Sequence, residues 1–132
     1  MSDYLNAASV SKGARITGWI MSILPVLLFL FSASFKFIQP GPDFAKGVVE
    51  MGFTPEQMFK LGFVELGCTL LYLIPRTSVL GAILLTAYMG GAVVTHFRVD
   101  QMFIIQILVG VLIWGGLYMR DLRIRALIPF KS

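Results

Sequence analysis

Charge is what this sequence has least of. Only 14% of its 132 residues are Asp, Glu, Lys or Arg, against roughly 25% in soluble domains. That deficit excludes an ordinary water-soluble globule. Cysteine is nearly absent too. Cys68 stands alone, so neither a disulfide framework nor a dithiol relay can form within one chain. A single histidine, His96, excludes a bis-histidine haem or a histidine-rich metal site. Basic residues outnumber acidic ones 11 to 7, yet they form no patch interleaved with aromatics, so nucleic acid is not a partner. Disorder needs low hydrophobicity, and 57% of this chain is hydrophobic. At 132 residues there is material for one domain. With mean hydropathy at +0.81, a membrane protein is what remains.

Four apolar stretches are each close to the ~20 residues that cross a bilayer. They cover about 17–38, 55–74, 77–97 and 102–119. In lipid every backbone polar group needs an internal partner, so each stretch is read as a helix. None shows the alternation of a β-barrel strand. Pro25 should kink the first. Pro75-Arg76 and the span from Arg98 to Gln101 are too short for anything but tight antiparallel turns. The expected fold is therefore all-α, an integral membrane antiparallel four-helix bundle with short loops, forming one domain over 1–132. The longer link, Gln39 to Thr54, alternates charge with Phe44, Val48, Val49 and Phe53. It reads as a short interfacial helix between helices one and two, with a plain solvated loop as the alternative. Thr54-Pro55-Glu56-Gln57 then looks like a helix start, with Thr54 as cap and Gln57 three residues on.

The first apolar run exceeds the core of a signal peptide and is expected to be retained. Orientation follows from the basic residues. Lys12, Arg15, Arg76, Arg120, Arg123, Arg125 and Lys131 fall on one side; Lys36, Lys46, Lys60 and Arg98 fall on the other. Both termini are expected in the cytoplasm, where labelling at Ser2 and Ser132 would find them.

Glu65 is the most informative residue. Ten positions after Pro55, it lies about 15 Å into the second helix, near the bilayer midplane. A carboxylate there must be protonated, paired or hydrated. Cys68, Thr69 and Tyr72 continue its stripe at i+3, i+4 and i+7, either as part of a site or as interhelical glue. Lys36 ends the first helix and either snorkels to the headgroups or pairs with Glu65. Their axial offset, about 12 Å from the helical rise, predicts that a direct pair needs a helix shift or a bridging water. His96 closes the third helix, and Gln106 comes from the same end of the fourth. Lys36, Glu65, Cys68, Thr69, Tyr72, His96 and Gln106 are thus the candidate ligand-binding residues. Glu65 and His96 are the candidate catalytic ones. Small residues at four-residue spacing in the third helix (Ser78, Ala82, Thr86, Gly90) serve either packing within the chain or a homodimer face.

The strings FSASFKF and VELGCTLLYLIPRTSVLGAILLTAYMGGAVVTHFR resemble the DoxX-like family of four-helix membrane proteins. The match rests on Lys36, Glu65, Thr77, Gly81, Gly90, Gly91 and His96, in that order, within residues 17 to 118. The resemblance implies a functionally mixed family. Some relatives are subunits of thiosulfate:quinone oxidoreductase, some associate with thiol-redox partners, and a distant animal branch acts as an assembly chaperone of acetylcholine receptors. Three functions follow as expectations. The first is an accessory subunit that holds a quinone or lipid, its head at Glu65 and His96 and its tail among Phe29, Phe31 and Phe63, and that associates with a redox partner. The second is a membrane enzyme using Glu65 and His96 as acid and base. The third is an assembly factor.

Overall fold

The computed structural model describes residues 9–131; Ser2 and Ser132 lie outside them. The described chain is helical throughout, with no strand among the described residues. Its elements are α1 (Lys12–Ile38), α2 (Gly41–Glu50), α3 (Pro55–Leu73), α4 (Ser78–Arg98), α5 (Ile104–Arg120) and α6 (Leu122–Leu127).

Local chemistry sets the ends. Ser11 caps α1, its hydroxyl accepting from Ala14 N at 3.1 Å. This cap starts the helix five residues before the apolar run does, and α1 then continues unbroken through the buried Pro25. Thr54 heads α3 with both halves of a capping box, Gln57 N to its hydroxyl and its own N–H to Gln57 Oε1. The four-residue link before α4, 74–77, is tied by Thr77, whose hydroxyl donates to Leu71 O at 2.7 Å. The link after α1 does contain a helix, α2, as its alternation of charge and apolar residues predicts. The short α6, capped by Asp121, is an element that the apolar runs did not announce.

The four long helices pack as a ring. α1 touches α3 and α5, and α4 touches α3 and α5. Where α4 meets α3, a side chain at Gly81 would strike the backbone of Leu71 and Tyr72. Ser78 and Ala82 are buried there as well, so this end of the small-residue stripe packs within the chain.

The surface is apolar as well as the core, and a few polar groups are buried. Ser22, Glu65, Thr69 and Ser78 are buried, while Leu27, Phe63, Ile83 and Val111 are each more than half exposed. Such continuous apolar exposure in water would be an aggregation surface. Two helices, α1 and α4, are long and apolar enough to cross a membrane; α5 is apolar and shorter.

Candidate functional site

The site grows from α1 and α3. Lys36 Cβ packs on Gly62, where an added methyl would lie 3.1 Å from it. Lys36 is therefore level with Gly62, and Glu65 is only one turn farther along, roughly 4.5 Å by the helical rise. The 12 Å offset expected from sequence is corrected by this register. The expectation took the first residue of α3 as level with the end of α1, but two turns of α3 stand beside residues 37–40, with Gln39 Nε2 donating to Pro55 O. Antiparallel geometry closes the remaining gap. Each Cα–Cβ bond leans toward its own helix N-terminus, so in α1 and α3 the two side chains lean toward each other.

The result is a direct ion pair. Lys36 Nζ lies 2.8 Å from Glu65 Oε2, with the side chains 14% and 2% exposed. Lys36 also donates to Ser32 Oγ at 2.6 Å, and Ser32 Oγ donates to Glu65 Oε2 at 3.3 Å. From α4, Tyr88 OH reaches the same oxygen at 3.5 Å. A buried pair is tolerable only with such extra hydrogen bonds.

Above this cluster lies a cavity of about 830 Å³, within the roughly 300–1,000 Å³ range of ligand sites. Its polar end is formed by Ser32, Lys36, Glu65, Tyr88, His96 and Gln106. Phe29, Phe31, Phe35, Leu61 and Val109 give apolar walls, and α2 covers it with Phe44, Gly47 and Val48. Phe31 and Ile105 line the cavity and are themselves more than half exposed, so that side is open. His96 Nδ1 lies 2.7 Å from Ala92 O; as this nitrogen donates, Nε2 is left to accept from Gln106 Nε2 at 3.4 Å. Gln106 Oε1 is buried with no hydrogen-bond partner, a deficit worth about 1–3 kcal/mol.

Of the seven expected binding residues, four meet at this cavity and three do not. Thr69 turns its hydroxyl onto Glu65 O of its own helix. Cys68 is half-buried against the core. Tyr72 lies two turns away, donating its hydroxyl's reach to a second cluster: its OH is 2.8 Å from both Ser22 Oγ and Ile113 O. Arg120 joins that cluster through Ser22 Oγ at 3.0 Å and stacks over Trp19 at 4.0 Å. The i, i+3, i+4, i+7 stripe is too long for one site, since seven residues span about 10 Å. Phe63, expected beside a ligand tail, packs instead on Phe37 and Phe59. Ser32 and Tyr88 are the residues missing from the expected set. Ser32 shares the face of Lys36 four residues earlier, which was the available signal.

A protein-family model described as the DoxX-like family matches residues 20–116. The chain belongs to the DoxX-like family. No match was found among curated proteins or among solved structures. Family and apolar helices together fit a small membrane protein. In this DoxX-like chain, Lys36, Glu65 and His96, three of the residues that carry the resemblance, come together at one cavity.

Proposed function

We propose that this DoxX-like protein is a four-span membrane protein that holds a lipid- or quinone-like amphiphile. The observation that carries the reading is the cavity, apolar along its walls and polar at the Lys36–Glu65 end. An amphiphile fits it head inward, with the tail leaving by the open side near Phe31 and Ile105. Four spans are supported by the apolar exposure on all four long helices. The 19 residues of α3 cover about 28 Å, close to the ~30 Å hydrocarbon core. Its Glu56 and Lys60 lie in the first turns, at headgroup level, and Glu65 has its countercharge. α2 lies along the outer interface, and both termini face the cytoplasm by the basic asymmetry.

The membrane lipid is then a partner. Association with a redox protein is part of the same reading, because one half-buried cysteine leaves the chain no thiol pair of its own. A homodimer through the outer half of α4, where Gly90 has open space, completes it.

Mass spectrometry of lipids extracted from the detergent-purified protein tests this. One amphiphile should be enriched over the bulk membrane and lost from Glu65→Leu. An extract identical to bulk lipid overturns the reading, and empty protein that co-purifies with a client favours the assembly factor instead.

A further inference from the structure

The polar end of the cavity has an imbalance of donors and acceptors. Lys36 is its one cation among the described residues, and its ammonium is engaged by Glu65 at 2.8 Å and by Ser32 at 2.6 Å. Tyr88 directs its hydroxyl at the same carboxylate. His96 directs its Nδ1 to Ala92 O at 2.7 Å. Two of the three Lys36 N–H groups and the Nδ1–H of His96 are thus engaged within the protein. One acceptor is not: Gln106 Oε1 is buried and accepts from nothing, and the carboxylate of Asp43 on α2 lines the same space.

From this we infer that the cavity selects a neutral amphiphile whose head donates hydrogen bonds, a phenol, quinol or alcohol, over a quinone or a phosphate head. The inference rests on the proposed function and refines its ligand class. A quinone carbonyl is an acceptor only. Placed here it would face Gln106 Oε1 and Glu65 and leave both groups as they are. A hydroxyl supplies the missing donor, and sites built to bond a hydroxyl discriminate against analogues that lack it. A phosphate adds negative charge opposite Glu65 and Asp43, with no unpaired cation to receive it. Lys36 is already paired with Glu65, so a neutral head enters without adding an unpaired charge.

The test uses two probe pairs on the full chain in nanodiscs, read by isothermal titration. Decylubiquinol, kept reduced under anaerobic conditions, is compared with decylubiquinone. Monooleoylglycerol is compared with oleoyl lysophosphatidic acid, which shares its acyl chain. The neutral hydroxylic member of each pair should bind about tenfold tighter, the factor that one net hydrogen bond supplies. Gln106→Leu should erase the quinol preference while binding persists through the tail. Gln106→Glu, which keeps an acceptor, should retain it. Equal or tighter binding of the quinone, or tighter binding of the lysophosphatidic acid, overturns the inference and leaves the cavity a binding site. Failure of all four probes to bind overturns the proposed function and this refinement together.

Discussion

At the scale of the residue, the chain's investment is in Glu65. It is 1% exposed, and its stability depends on partners from two other helices. Removing one member of a buried pair strands the other in low dielectric and costs about 3–5 kcal/mol, whereas removing both strands none. Glu65→Gln and Lys36→Met should therefore cost less together than the sum of the singles, by about 0.5–3 kcal/mol. Thermal melts of the four proteins of the cycle in one detergent measure this, and strict additivity would refute the pairing. Outside the membrane, Asp121 is the residue to titrate. The Arg123 side chain donates to it at 2.8 and 3.0 Å and holds its carboxyl below the usual carboxylate range. A depressed folded value means that the stabilisation is complete above the ordinary carboxylate pKa, about 4, and fades as pH falls through the folded one. Arg123 is 75% exposed, so the effect is small. Melting temperature should drop between pH 5 and pH 3 by about a degree less in Asp121→Asn than in the parent.

Among the elements, α2 is the one least held by packing. It has no side-chain cap at Pro40, and only Val48 is buried. Positive φ values at Gln39, Gly41 and Gly52 turn the chain into and out of it, and at Gly52 a Cβ would also crowd Arg98, 2.9 Å from Nη2. Arg98 donates from α4 to Met51 O at 2.6 Å, fastening the end of α2 over the cavity. With so few buried contacts, α2 belongs to the low-stability end of the fold. Arg98→Ala should raise hydrogen exchange at residues 41–52 severalfold while α1 and α5 keep their protection. Unchanged exchange there would show that Phe35–Phe44 stacking, at 6.4 Å between ring centroids, holds α2 by itself.

For the whole molecule, the apolar surface and the basic asymmetry make one prediction. The four crossings proposed above would bring both ends to the same side, with Asp100 on the other. In a Cys68→Ser background, cysteines at Ser11 and Lys131 should react with an impermeant reagent only from the cytoplasmic face, and a cysteine at Asp100 only from outside. Labelling of Ser11 and Lys131 from opposite faces would mean an odd number of spans.

Helix positions were legible from the sequence because their determinants are local. Apolar runs, the Thr54 capping box and the Pro75-Arg76 turn act within a few residues, and the charge of α2 alternates along ten. That Glu65 needed a partner was legible as well, since the cost of a carboxylate in a low-dielectric interior does not depend on the fold. Which partner it has was decided only by the tertiary structure. Register between α1 and α3 is set by Lys36 seating on Gly62 and by side chains that lean together in antiparallel helices, and neither is visible along one strand of sequence. The same holds for Tyr72, which shares a stripe with Glu65 on α3 but bonds Ser22 and Ile113 fifty and forty-one positions away. A helix stripe tells which residues face inward; how deep each one sits, and against what, is settled by where the neighbouring helices stand.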